Sequence, residues 1–95
     1  LSARADIGAL WENFCIVERM KKNAYTNTWV QSFFWRSLAG SEIDYVEVRN
    51  GKIHAYECKW NIKKRVSAPR FFMEKYAGAS FSIINPKSYR PFVLP

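Results

Sequence analysis

Histidine occurs once, at His54, and cysteine twice, at Cys15 and Cys58, with no CxxC pair. Zinc sites and disulfide frameworks both need more of these donors at characteristic spacings, so neither is expected. Two distant cysteines read instead as reduced thiols in a cytoplasmic protein. No run reaches the roughly 18 consecutive apolar residues of a spanning helix, so no membrane segment is expected. No basic leader precedes an apolar stretch. Internal repeats and low-complexity segments are also missing, and so is an initiating Met, as in a domain cut from a longer chain. Acidic residues are few. Eight Asp and Glu stand against 15 Lys and Arg, a formal net charge of +7. That balance favours polyanionic partners: nucleic acid, an acidic membrane face or an acidic protein.

What the chain does have is core material. Its 95 residues are 48% apolar and 17% aromatic, enough for one folded domain spanning 1–95. Residues 6–22, "DIGALWENFCIVERMKK", predict a helix with Asp6 as its N-cap. Ile7, Leu10, Phe14 and Val17 form an apolar stripe at helical spacing, and Trp11, Cys15, Ile16 and Met20 widen it. The helix is therefore expected to be covered on more than one side. A strand follows over 29–37, then a turn at "LAGS", then two strands joined by Asn50-Gly51, the strongest short signal for a type I′ hairpin. Ala68 to Ala77 predict a second helix, with Pro69 near its first turn and Gly78 near its end. "SFSIIN" is a last short strand. The order is αβββαβ, an α/β fold with a mixed central sheet flanked by helices.

The two-residue turn fixes the register of the hairpin. Arg49 faces Lys52, Val48 faces Ile53, Val46 faces Ala55, Glu47 faces His54, Asp44 faces Glu57 and Glu42 faces Lys59. By alternation, Asp44, Glu57, Glu42 and Lys59 share a face with Val46 and Ala55, while Ile43, Tyr45, Tyr56, Cys58 and Trp60 form an apolar reverse face. Opposed Cβ atoms are only about 5 Å apart. Two carboxylates at that distance are unfavourable unless a cation lies between them. Hard oxygen ligands completed by water describe a Mg2+ or Mn2+ site at Asp44 and Glu57. Lys59, two residues on, is placed to hold a water or offset phosphate charge, which suits phosphodiester hydrolysis. The same residues also fit a salt-bridge network with Arg36 on a solvated sheet. Lys63, Lys64 and Arg65 follow directly and are candidates for phosphate contacts. Trp35 and Cys58 read as core and His54 as a surface residue. On the first helix, Glu18 lies nearer the apolar stripe than Glu12, and either could face the sheet.

Asp44, twelve residues, then Glu57-Cys58-Lys59 resembles the D…(D/E)xK signature of the PD-(D/E)xK nuclease superfamily. Gly8 and Glu12 are similar to the glycine and helix glutamate found there at a spacing of four, which favours Glu12 over Glu18. Ile43 stands where the superfamily often has Pro. "IGALWENF", "FWRS", "GSEIDYVE", "YECKWN" and "SFSIINPKSYRPF" resemble the domain C-terminal to the ATPase module in predicted bacterial and archaeal AAA-type ATPases. The resemblance implies a restriction-endonuclease-like core and a metal site at the strand bend with Asp44, Glu57, Lys59 and Glu12. It also implies an N-terminal ATPase domain as partner, where any ATP would bind. Two function classes follow. One is a Mg2+-dependent nuclease acting on DNA in preference to RNA. The other is an inactive docking or nucleic-acid-sensing module of the ATPase. Oligomerisation is left open by both.

Overall fold

A computed structural model of the protein describes residues 3–63 and 66–95. Helix α1 spans Ala3–Tyr25, strands β1 Gln31–Arg36, β2 Glu42–Arg49 and β3 Lys52–Cys58 follow, then α2 Arg70–Lys75, β4 Ser80–Ile84 and α3 Arg90–Val93. The four strands form one sheet in the order β1-β2-β3-β4. The first two pairings are antiparallel and β3–β4 is parallel. A parallel neighbour requires a crossover connection, and the segment carrying α2 provides it. The mixed α/β architecture is therefore as the sequence predicts, with α3 as an additional single turn.

The hairpin forms as its turn chemistry dictates. Asn50 and Gly51 both have positive φ, 51° and 75°, as a type I′ turn requires. The ladder then runs Arg49↔Lys52, Val48↔Ile53, Glu47↔His54, Val46↔Ala55 and Tyr45↔Tyr56, and it ends there. On its other side β2 carries an irregularity: Phe33 pairs with Val46, but Trp35 pairs with Ile43, so two β2 residues, Asp44 and Tyr45, oppose the single β1 residue Phe34. A bulge of this kind reverses side-chain alternation. Ile43 consequently joins Val46, Ala55 and Phe72 in the core on the α2 side, with Trp35 packed against them. The sequence places Ile43 on the reverse face because strict alternation cannot foresee the extra residue.

The second core lies between the sheet and α1 with α3. It contains Trp11, Cys15, Tyr45, Tyr56, Cys58, Ile84, Phe92 and Val93. Here α1 departs from the sequence expectation in two ways. Asp6 sits inside the first turn, where its charge suits the helix dipole, and does not cap the helix. The face turned to the sheet is Trp11, Cys15, Arg19 and Asn23, all buried, whereas Ile7, Leu10, Phe14 and Val17 remain 38–66% exposed. Polar groups decide this orientation. Trp11 Nε1 donates to the Ile84 carbonyl, and Arg19 and Asn23 donate to the Glu47 carboxylate. The apolar stripe is left about 140° round the helix from the buried line, at 3.6 residues per turn.

Candidate functional site

The site begins where the β2–β3 ladder stops. Beyond Tyr45↔Tyr56 the end of β3 is held by β4 instead, through the Cys58↔Ile84 pairing and a 2.9 Å bond from Lys59 N–H to the Ile84 carbonyl. The backbone groups freed between β2 and β3 need other partners. Two carboxylates supply them. Cys58 N–H donates to Asp44 Oδ2 at 3.0 Å, and Asp44 N–H donates to Glu57 Oε1 at 3.0 Å. This reciprocal arrangement locks both side chains across the fork. Asp44 Oδ1 has no hydrogen-bond donor among the described residues, and Glu57 Oε2 has only the Lys59 ammonium, 3.6 Å away.

Burial and the neighbouring Asp44 charge push the Glu57 carboxyl above its ordinary range, against the pull of the Asp44 N–H and Lys59. Glu12 responds in the same way. Partial burial and then Asp44 raise its carboxyl, while Lys59 works in the opposite sense. Four carboxylates, Glu12, Glu42, Asp44 and Glu57, and one ammonium thus share a local field, with Glu12 acting from α1. Glu18 does not take part: it pairs with Lys21 on the surface at 2.9 Å. Of the two candidates on the first helix, Glu12 is the one whose carboxyl feels the Asp44 charge.

Asp44 and Glu57 have the chemistry of a hard-cation site: two carboxylates, each with an oxygen not held by a backbone donor, in a cluster whose like charges raise proton affinity. Among the described residues no group of three His, Cys, Asp or Glu side chains is placed to hold an ion. Water or substrate oxygens would have to complete the shell, a coordination that Mg2+ accepts and zinc sites usually do not. Asp44 and Glu57 are the residues that would hold such an ion.

The other sequence candidates separate. Lys63 is exposed in a turn, its N–H bonded to Asn61 Oδ1. Lys64 and Arg65 lie outside the described residues. Trp35 packs on Phe72 edge to face at 5.1 Å, as a core residue. Cys58 is buried, and the Cys15 thiol together with burial pushes its own thiol up, so neither chemistry nor exposure favours it as a nucleophile.

Sequence reading missed a second polar centre. Glu47, expected opposite a surface His54, is fully buried. Arg19 grips it in a bidentate pair at 2.8 and 2.9 Å, and Asn23 and the Tyr45 hydroxyl each donate at 2.9 Å. Burial alone would raise the Glu47 carboxyl, but the bonds from Arg19 and Asn23 outweigh it and hold it below its ordinary range. Arg19 also donates to the Phe92 carbonyl and lies 4.6 Å from the Phe92 ring centre, fastening α3 to the same point. The signal was present in the four-residue spacing of Trp11, Cys15, Arg19 and Asn23, one line along a helix. With Arg19 and Asn23 on the buried line, a mid-strand Glu becomes their natural partner.

A family model described as a domain of unknown function, DUF4143, matches residues 7–90. The chain belongs to the DUF4143 family. The matched part of the DUF4143 domain takes in all four strands and α2, and with them Glu12, Asp44, Glu57 and Lys59. No curated protein and no solved structure matches the chain. No helix among the described residues of this DUF4143 domain is long and apolar enough to cross a membrane.

Proposed function

We propose that the domain is a metal-dependent phosphodiesterase of the PD-(D/E)xK type, acting on nucleic acid, with DNA the preferred substrate. The observation that carries this reading is the fork at which Asp44 and Glu57 exchange hydrogen bonds with each other's strands while Lys59 stands 3.6 Å from Glu57. Asp44 and Glu57 would hold Mg2+ or Mn2+. A bound ion would supply Lewis-acid stabilisation of a phosphate oxygen and a more acidic water. The protein's own contributions are separate from the ion. The backbone N–H groups of Asp44 and Cys58 fix the two carboxylates. Glu57 orients the Lys59 ammonium, which offsets charge on the phosphate as water adds to phosphorus and the bond to the leaving oxygen breaks. Glu12 adds negative charge from α1 and favours cation occupancy. Lys63, Lys64 and Arg65 would contact flanking phosphates. The resemblance to the C-terminal domain of AAA-type ATPases supports an ATPase domain in the same chain, and the two free, buried cysteines suit the cytoplasm.

Supercoiled plasmid incubated with the protein and Mg2+ or Mn2+ tests the reading. Nicking by the wild type, loss of nicking in Lys59→Ala and dependence on the ion are expected. Cleavage by Lys59→Ala equal to the wild type would overturn it.

A second reading has its own support. The exposed stripe Ile7, Leu10, Phe14 and Val17, extended by half-exposed Trp60, is a large apolar surface for so small a domain. It favours a catalytically idle module that docks on the ATPase domain of its own chain. Leu10→Glu with Phe14→Glu would then release the two domains in the full-length protein without unfolding this one.

A further inference from the structure

A group of cations gathers at the end of the sheet away from Asp44. Arg49 and Lys52 face each other across the last pair before the turn, and His54 follows on β3 opposite Glu47. From α1, Lys22 reaches the same end and donates to the Pro91 carbonyl. Behind them lies Arg19, already committed to Glu47. Carboxylates near this group are spoken for. Arg19, Asn23 and Tyr45 hold Glu47, and Lys21 holds Glu18. Arg49 is anchored by one guanidinium nitrogen on the Tyr56 hydroxyl at 2.8 Å, while its buried Nε, 3.1 Å from Glu47, makes no aligned hydrogen bond. The chain thus holds Arg49, Lys52 and Lys22 on three neighbouring elements, with His54 beside them and its Nδ1 2.8 Å from Ser80 Oγ, and with one buried carboxylate, Glu47, already held by Arg19, to balance them.

Like charges brought this close oppose one another unless an anion joins them. The opposition shows at two of these groups. Burial and then Arg19 and Arg49 lower the Lys22 ammonium from its ordinary value, and burial and then Arg49 lower His54. A phosphate accepts hydrogen bonds from an Arg fork and a Lys point charge together. We infer that Arg49, Lys52, His54 and Lys22 form a phosphate-binding site at the hairpin end of the sheet. It is separate from the Asp44–Glu57 fork: Arg49 is five strand residues from Asp44, about 17 Å along β2. It does not require that the domain cleave anything. The phosphate can come from a nucleic-acid backbone or be free in solution.

Because His54 is the only histidine, its ring resonances report on this site alone. Inorganic phosphate, and separately a 15-nucleotide single strand, are titrated at constant ionic strength with chloride as control. Saturable shifts of the His54 signals by phosphate groups and not by chloride are expected. Lys52→Gln, on an exposed residue, should weaken them several-fold. Arg49→Gln should weaken them further, with circular dichroism confirming the fold. Lys75→Gln, on α2, should change nothing. Shifts with inorganic phosphate alone identify a free-phosphate site; shifts with the oligonucleotide at far lower concentration identify a backbone contact. The proposal is overturned if chloride shifts His54 as much as phosphate does, or if Lys52→Gln and Arg49→Gln both respond like the wild type. Plasmid nicking with an unresponsive His54 would leave the Asp44–Glu57 reading standing and remove only this one.

Discussion

Glu57 Oε1 accepts a 3.0 Å hydrogen bond from the main-chain N–H of Asp44, and so the two acidic residues are tied to each other before any ligand arrives. The tie fixes geometry at an electrostatic cost. A carboxyl whose affinity for protons is raised by burial and a neighbouring charge is one whose ionised form the fold disfavours.

Glu57→Gln should therefore raise the melting temperature of the metal-free protein at neutral pH. The neutral amide keeps an oxygen for the Asp44 N–H and loses the charge. The sign with pH follows from a folded-state pKa above the unfolded value. Ionisation weakens the fold as pH rises from the ordinary carboxyl value through the raised one, and costs nothing below both. The gain from Glu57→Gln should shrink toward zero on acidification. Thermal melts across a pH series measure it; a lower melting temperature for the variant at neutral pH would count against the strained pair.

Glu47 should behave in the opposite sense. Its carboxyl is held low by Arg19 and Asn23, so its contribution is present above the ordinary carboxyl value and is lost as pH falls through the lowered one. Glu47→Ala leaves Arg19 buried and unpaired and should cost about 3–5 kcal/mol. Replacing both, Arg19→Met with Glu47→Leu, should recover much of that loss, as measured by urea denaturation.

The orientation of α1 gives a stability contrast. Leu10→Ser, on the exposed stripe, should change stability by no more than about 0.5 kcal/mol. Phe72→Ala, in the core on the α2 side, should cost about 3–5 kcal/mol. Comparable losses at the two positions would mean that the Leu10 face is covered.

The basic run gives a salt signature. Changing Lys63, Lys64 and Arg65 to Ala should weaken DNA binding alike for every sequence and flatten the log-affinity versus log-salt slope by up to about 2.7 on duplex. Fluorescence anisotropy over a salt series reads this directly. An unchanged slope would make the run a solvated surface.

How much of this was legible in the sequence depended on how local each determinant is. Asn50-Gly51 set the turn, and the turn set the register as far as Tyr45↔Tyr56; the next expected pair, Asp44 facing Glu57, is not part of the ladder, and those two residues meet through side-chain bonds to the main chain. The bulge was not legible, because one extra β2 residue opposite Phe33–Trp35 has no signature in residue type, and it moved Ile43 to the other face. The buried side of α1 was misjudged for a different reason. Hydrophobic spacing favoured Ile7, Leu10, Phe14 and Val17, but the helix is oriented by Trp11 on Ile84 and by Arg19 and Asn23 on Glu47. Those partners lie 24–73 residues away in sequence, and a polar residue on a helix shows no sign of burial until its partner is known.

Crystals soaked in Mn2+ test the central claim most directly, through anomalous scattering at the fork between β2 and β3. A single strong peak is expected within bonding distance of both Asp44 and Glu57, absent from Asp44→Asn crystals treated alike. A well-ordered fork that shows no Mn2+ peak at millimolar concentrations, with Asp44 and Glu57 still exchanging their hydrogen bonds, would contradict it.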